Sequence, residues 1–431
     1  MGGKLQKHPK DEDPSQSRED TLALFRVVRG RTMELTAPLT AEDQCIQSMP
    51  DTSPVKWHLA HTSWFFETFI LAAFQDGYAP FHSDYNFLFN SYYDQVGPHH
   101  ERPKRGLLSR PSLDDVHAYR RHVEGAMEDL VSAADDGAWN EIAALVELGL
   151  NHEQQHQELI LTDIKHVFSC NPLNPAYQAF KPHGVEGWEA QEWIEFPEGL
   201  VEQGHQGPGF AFDNEGPRHK VWQDAFRIAS RPVTNGEYLE FIEDGGYRRP
   251  ELWLSAGWAA VEERDWQAPL YWENTDGVWQ VLTLAGLRTL DAAEPVCHVS
   301  FFEADAYAKW AKKRLPREGE WERLADDYPV EGNFAATGHF HPIPGKAEPG
   351  RAIQVFGDVW EWTESAYAPY PGYKALDGAI GEYNGKFMSG QMVLKGGSAA
   401  TPGGHVRATY RNFFYPPDRW QFSGLRLAED A

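Results

Sequence analysis

The chain has 431 residues, with 39 Lys and Arg against 64 Asp and Glu, so the formal net charge is −25 with His neutral. That length suggests two domains or three. A hydrophobic fraction of 41% with 16 Trp allows a large core and excludes intrinsic disorder, and the acidic balance argues against nucleic acid or an anionic membrane as the main partner.

Residues 1–20 are polar and charged, with no apolar core for a signal peptide. The apolar runs further on are short: residues 64–74 are broken by Glu67 and Thr68. None reaches the ~18–20 apolar residues that span a bilayer. Cys45, Cys170 and Cys297 are odd in number and far apart, which fits a reducing compartment better than a disulfide framework. These features point to a soluble, cytoplasmic protein.

Apolar residues recur at helical spacing over residues 22–28, 57–74, 116–133 and 142–167, the pattern of a four-helix bundle. Ser53-Pro54 reads as a helix start, with Ser as cap and Pro in the first turn. The segment 78–113 is rich in aromatics, His, Arg and Pro, and it is too long for an ordinary bundle connection, so a functional loop is expected. Asn171-Pro172 and Asn174-Pro175 mark a linker. From about Trp188 onward Gly, Pro and Trp are frequent and runs are short, as in an α+β domain with short strands and two helices. One helix starts near Thr234 and holds Tyr238 and Phe241; the other covers about 302–312, with Ala304, Ala308 and Ala311 on one face. The expected division is a flexible start (1–19), a helical bundle (20–170), a linker (171–190) and a second domain (191–431).

The segment most suggestive of chemistry is Asn151-His152-Glu153-Gln154-Gln155-His156-Gln157-Glu158. On a helix His152 and His156 stand at i and i+4 on one face and can chelate one metal. Gln155 lies about 60° from His152 and flanks that face, whereas Glu158 points to another side. The best third ligand is His61 in Trp57-His58-Leu59-Ala60-His61, because a buried imidazole on an apolar helix needs a partner; His58 competes for the role. The blander alternative is a set of histidines that only hydrogen-bond within the bundle. The string also matches H-E-x-x-H, the zinc-peptidase signature with Glu as base, but Leu159 stands where the extended motif has Gly. In the long loop, Tyr92-Tyr93 can bring a phenol near a metal, and Arg102 and Arg105 can clamp a carboxylate. These four residues also fit plain packing and surface roles.

Together these segments resemble the ergothioneine sulfoxide synthases, non-haem iron enzymes, over nearly the whole chain. The N-terminal part resembles a DinB-type four-helix bundle with that family's H-x3-H-x-E motif at His152, His156 and Glu158. The C-terminal part resembles the formylglycine-generating-enzyme-type domain, a variant of the C-type-lectin fold. The segments that carry this second likeness are Arg231-Pro232-Val233-Thr234-Asn235-Gly236-Glu237-Tyr238, Arg314-Leu315-Pro316 with Glu320-Trp321-Glu322, Gly357-Asp358-Val359-Trp360-Glu361-Trp362-Thr363, Lys395-Gly396-Gly397-Ser398 and Gly424-Leu425-Arg426.

The resemblance implies an α+β multidomain enzyme that holds Fe(II) through His61, His152 and His156 and consumes O2. It implies hercynine (Nα-trimethylhistidine) as one substrate, with Gln155 and Asn412 on its carboxylate and Phe413 and Phe414 near its trimethylammonium group. Arg102 and Arg105 match the family's Arg-x-x-Arg pair for the carboxylate of the thiol substrate. Tyr92 and Tyr93 resemble the paired tyrosines of a subgroup that uses cysteine, and Phe414 stands where users of γ-glutamylcysteine carry an Asp. Tyr367, Tyr370 and Tyr373 are the alternative phenols. The alternatives in function are the same reaction with γ-glutamylcysteine and a divalent-metal thiol transferase of the DinB type. The reactive cysteine pair of the formylglycine-generating enzyme is missing, so the second domain is expected to form a wall of the site.

Overall fold

The computed structural model describes residues 17–184, 190–346 and 348–431. The expected flexible start lies outside the described residues as far as 16, and the expected linker does so over 185–189. Four long helices form the N-terminal bundle: α1 (Arg18–Thr36), α2 (Val55–Phe66), α3 (Leu113–Ala133) and α4 (Asp136–Ser169). Ser17, Ser112 and Asp135 cap α1, α3 and α4 by accepting backbone N–H groups of the first turn. Ser53 does not cap α2. Pro54 occupies that position, and Ser53 is diverted: its N–H donates to Asp163 and its hydroxyl accepts from Arg105. Helix α2 runs on through a π-helical turn, Glu67–Leu71, whose Glu67 carboxylate accepts from the hydroxyls of Tyr78 and Tyr119. Helix α4 packs close against α2 at Gly149, where a Cβ would come within 2.6 Å of the Phe66 ring. The long loop 78–113 is not wholly irregular; it contains the short helix Tyr85–Phe89 and a 3-10 turn, Arg102–Leu107.

The second domain is built around a four-stranded sheet of β1 (Trp360–Ala366), β2 (Met392–Lys395), β3 (Asn412–Phe414) and β4 (Ser423–Gly424), in the order β3-β2-β1-β4. Strands β1 to β3 pair antiparallel, and β4 joins β1 in parallel. Two of its helices start at the expected places: α5 (Asn235–Glu243) after a Thr234–Glu237 capping box, and α7 (Phe301–Trp310) after a Ser300–Glu303 box. The sequence reading missed α6 (Ser255–Arg264) and α8 (Glu318–Ala325). Helix α8 buries Glu318, Glu320 and Glu322, each paired inside the domain, beside Trp321, Leu324 and Ala325 at helical spacing in a run of only eight residues. Among the described residues no helix is long and apolar enough to cross a membrane, and Cys45, Cys170 and Cys297 are all free.

A charged cluster sits at the centre of the bundle. Glu153 of α4 is 0% exposed. It accepts from Arg29 of α1 at 3.0 Å, Arg120 of α3 at 3.0 Å and Thr32 of α1 at 2.7 Å. Arg29 also donates to Ser63, and Arg120 to the Leu59 carbonyl and Thr62, all on α2. One carboxylate therefore ties all four helices. The two guanidinium groups outweigh the burial penalty and hold the Glu153 carboxyl down at about 2. Glu153→Gln leaves two buried arginines under-compensated and is expected to cost ~3–5 kcal/mol in chemical unfolding. Because the folded carboxyl lies below its ordinary value of 4.5, its stabilisation is full above that pH and is lost as pH falls towards about 2. The variant's stability should therefore fall less steeply than the wild type's across that window, and an equally steep fall would contradict the assignment.

Candidate active site

The His152–His156 face of α4 meets His61 of α2. His152 Nε2 lies 3.2 Å from His61 Nε2 and 3.1 Å from His156 Nε2, and all three rings are buried. The other ring nitrogens set the tautomers. His61 Nδ1 donates to the Phe89 carbonyl at 2.6 Å, which leaves its Nε2 lone pair facing the cluster. The Asp163 carboxylate can only accept, so His58 donates to it through Nε2 at 3.0 Å. His58 Nδ1 then accepts from His156 Nδ1 at 2.7 Å, and His156 Nε2 also presents a lone pair. A single proton on His152 Nε2 can satisfy only one of these two neighbours. A cation satisfies all three, and nitrogen ligands about 2.1 Å from an ion stand roughly 3.0–3.4 Å apart when adjacent. The donor set thus fits a metal. His58, the competing candidate, lies one layer out and orients His156. Burial and the neighbouring rings push all three imidazoles towards the neutral form; His152 is lowered to about 3.

Next to this centre is a cavity of about 410 Å3 between the two domains, lined from the bundle by Tyr92, Arg102, Gln155 and Glu158 and from the second domain by Trp360, Tyr383 and Tyr410–Phe414, among others. Gln155 donates to the Tyr410 hydroxyl at 2.8 Å and accepts from the Tyr383 hydroxyl. The Tyr383 ring stands edge-on to His152, with centroids 5.6 Å apart. Glu158 points away from the three imidazoles, as the helical geometry requires. Its carboxylate accepts from Trp360 Nε1, Ser398 and Thr401 at 2.6–2.8 Å and so fastens α4 to the second domain.

The remaining sequence candidates fall in different layers. Asn412, Phe413 and Phe414 on β3 and Arg102 line the cavity. Arg105 does not. It is buried with its guanidinium 3.4 Å above the Trp57 ring, and Trp57 in turn stacks on His61 at 4.5 Å. The Tyr92 and Tyr93 rings stack at 4.7 Å and 26°, although adjacent residues of a loop usually point apart. Tyr92 lines the cavity. Tyr93 lies behind it at 0% exposure, and among the described residues its hydroxyl has no hydrogen-bond partner outside the pair. Tyr367, Tyr370 and Tyr373 are hydrogen-bonded to Asn214, Gln203 and Asp213 and do not line the cavity. The sequence reading did not single out Tyr383, because its segment carries no periodicity or motif. The H-E-x-x-H reading fails physically: Glu153 is locked between two arginines in the core and cannot serve as a base at the metal.

Comparison with known proteins places this geometry. A family model described as a sulfatase-modifying factor enzyme 1-like domain matches residues 178–431, and one for the DinB superfamily matches residues 24–160. The chain is 33% identical to the hercynine oxygenase of Mycobacterium tuberculosis, covering 93% of this chain and 96% of that one. It is 34% identical to the hercynine oxygenase of Mycolicibacterium smegmatis, covering 96% and 98%. The chain belongs to the hercynine oxygenase family. It is accordingly an enzyme of the oxidoreductase class. A partial match, 30% identical over 51% of this chain and 28% of the relative, is to ergothioneine biosynthesis protein 1 of Schizosaccharomyces pombe. Within the family's architecture the second domain contributes cavity wall, not thiol chemistry. Its Cys297 is buried and its thiol is pushed up to about 12 by desolvation, which makes it a poor nucleophile at neutral pH.

Three outcomes follow from this geometry. His61→Ala, His152→Ala and His156→Ala should each lose most bound metal by elemental analysis. Glu158→Ala should keep the metal and instead lower the unfolding temperature, because three buried donors lose their acceptor; metal loss equal to that of His156→Ala would count against this division of labour. Asp163→Ala, which removes the carboxylate behind His58 and His156, should weaken metal affinity ~10–100-fold in a chelator competition. Unchanged affinity would rule out the orienting chain.

Proposed function

We propose that this chain is an iron(II)- and O2-dependent sulfoxide synthase that joins the sulfur of cysteine to C2 of the imidazole of hercynine, a step of ergothioneine biosynthesis. The observation that carries the reading is the three-imidazole centre beside an aromatic interdomain cavity, in a chain of the hercynine oxygenase family. The unpaired cysteines support a reducing, cytoplasmic setting. At about 410 Å3 the cavity lies in the ~300–1,000 Å3 range of small-molecule sites.

When bound, iron(II) supplies the redox centre at which thiol and O2 are brought together. The residues around it divide the binding. Gln155 offers its second amide N–H, and Tyr410 its hydroxyl, to the carboxylate of hercynine, while Tyr383 donates to the Gln155 amide oxygen and fixes that side chain; Asn412 stands on the same wall. Phe413 and Phe414 give the quaternary ammonium an aromatic face. Arg102 offers its guanidinium to the carboxylate of the thiol substrate, while Arg105 braces Trp57 and through it His61. Phe414 in place of an acid supports cysteine over γ-glutamylcysteine.

The reaction removes the S–H and C2–H bonds and forms C–S and S–O bonds, and the second oxygen atom leaves as water. A proton donor is therefore needed at the reacting atoms. Burial keeps both phenols of the Tyr pair protonated at neutral pH, with Tyr92 pushed up to about 12 and Tyr93 higher. The Tyr93 hydroxyl, buried with no partner outside the pair among the described residues, supports this pair as the donor.

Mass spectrometry of the product from hercynine, cysteine, Fe(II) and O2 tests the reading directly. A sulfoxide adduct that is absent under anaerobic conditions is expected, and turnover without O2 would instead indicate a divalent-metal thiol transferase. Tyr93→Phe or Tyr92→Phe should shift the product from the adduct to cysteine sulfinic acid while metal binding persists. A wild-type product ratio in both variants and in the double variant would exclude the pair and make Tyr383 the next phenol to test.

A further inference from the structure

A second group of metal-binding side chains lies outside the active cavity and shares no residue with its lining: His183, Asp291 and Glu294, whose ligand atoms lie within 4.8 Å of one another. Glu294 is only 1% exposed, and among the described residues its Oε1 has no hydrogen bond. Its other oxygen accepts from His341 Nε2 at 3.0 Å, which fixes the carboxylate plane. Asp291 is held on its own side. Its Oδ1 accepts from the Ala293 N–H at 2.9 Å, its carbonyl accepts from Asn235 at 2.8 Å, and its Oδ2 lies 3.9 Å from His183 Nε2. Of the two nearest cations, Arg288 makes only a long ion pair with this carboxylate and Lys181 is engaged elsewhere. Arg288 stacks 3.6 Å over the Phe180 ring and stays 3.9 Å from Glu294 Oε1, while Lys181 donates to the Thr337 carbonyl. A small cavity of about 10 Å3, roughly one water in size, is lined by His183, Glu294, Arg288 and His341, with others.

A buried carboxylate oxygen without a hydrogen bond is costly, and among the described residues only the Arg288 guanidinium, 3.9 Å away, offsets the water it has lost. An imidazole and two carboxylates form a known donor set for zinc, and a hydrogen-bonded histidine behind a ligating carboxylate is the usual way to hold it in place. We propose that His183, Asp291 and Glu294 bind one structural zinc(II) ion, with His341 orienting Glu294 and a water filling the fourth position. The cavity has no room for a substrate, so the ion acts on the fold. His183 sits on the segment that leaves the bundle. That segment already bridges the two domains, since the Tyr177 hydroxyl donates to the Leu35 carbonyl on α1 at 2.7 Å and Gln178 donates to the Gly338 carbonyl at 2.7 Å. Zinc there pins the segment to the loop before α7, and with it the seating of one domain on the other.

The test is zinc stoichiometry by elemental mass spectrometry after zinc(II) sulfate loading and desalting. The wild-type chain, with both centres, should hold about two zinc per chain and His183→Ala/Asp291→Asn about one. His61→Ala/His152→Ala/His156→Ala should hold about one, and the five-substitution combination none. Equal stoichiometry in the wild type and His183→Ala/Asp291→Asn would overturn the proposal, even if the triple-histidine variant does not fold. A folded triple-histidine variant that holds no zinc would overturn it too. Zinc should also raise the unfolding temperature of the triple-histidine variant but not of the five-substitution variant.

Discussion

Glu153 and its two arginines set the register of helix α4, and the rest of the site follows from that register. An unpaired charge at this depth costs several kcal/mol. Sliding or turning α4 by one residue, about 100°, would strand the carboxylate and both guanidinium groups. With Glu153 pinned to the bundle core, His152 and His156 are forced onto the side that faces His61. Gln155 and Glu158 are forced towards the second domain. Seven residues of one helix thus meet three environments: a charged core, a metal-binding face and a domain interface. The string that resembles a peptidase signature is better understood this way, with its glutamate as the anchor that aims its histidines.

The site is complete only when the two domains meet. The bundle brings the imidazoles, Tyr92 and Arg102, and the second domain brings the aromatic wall and the tyrosines that hold Gln155. Bonds on either side of the cavity keep them together. Glu158 grips Trp360, Ser398 and Thr401, and the loop residues Asp94 and Gln95 donate backbone N–H groups to Glu382. The interface is therefore part of the catalytic architecture: a shift of the domains moves the cavity wall relative to the imidazoles.

The two-domain fold and the three histidines were legible because they rest on local regularities, helical spacing in the bundle and short motifs in the second domain. The motif residues turn out to pair with one another across the domain. Glu361 of the Trp-Glu-Trp segment accepts from Trp321 of Glu-Trp-Glu and from Arg426 of Gly-Leu-Arg. The misses have an equally physical origin. Helix α8 is only eight residues long, and the helical spacing of Trp321, Leu324 and Ala325 is interleaved with glutamates that turn out to be buried and paired. Ser53 has the composition of a cap but is used by Asp163 and Arg105. Arg105 has the spacing of a substrate clamp but spends its charge against Trp57. Tyr383 reaches Gln155 across 228 residues of chain, a contact that only the docking of two domains creates.

The three imidazoles are not equivalent, and the difference lies in what stands behind each ring. His156 is backed by a chain that ends on a carboxylate, through His58 to Asp163, which fixes its tautomer and turns its Nε2 lone pair to the centre. His61 is backed by a neutral carbonyl, that of Phe89, and is clamped between the Trp57 and Trp64 rings. His152 has no partner at Nδ1 and lies against the rings of Phe65 and Tyr383. A graded set of this kind would hold a cation firmly through two ligands whose tautomers are fixed and more loosely through the third. The loosest ligand is also the one that touches the cavity-lining Tyr383, whose hydroxyl holds Gln155. Filling the cavity near Gln155 therefore reaches the centre through His152 first, which places the adaptable ligand on the substrate side and the rigid ones on the side of the bundle.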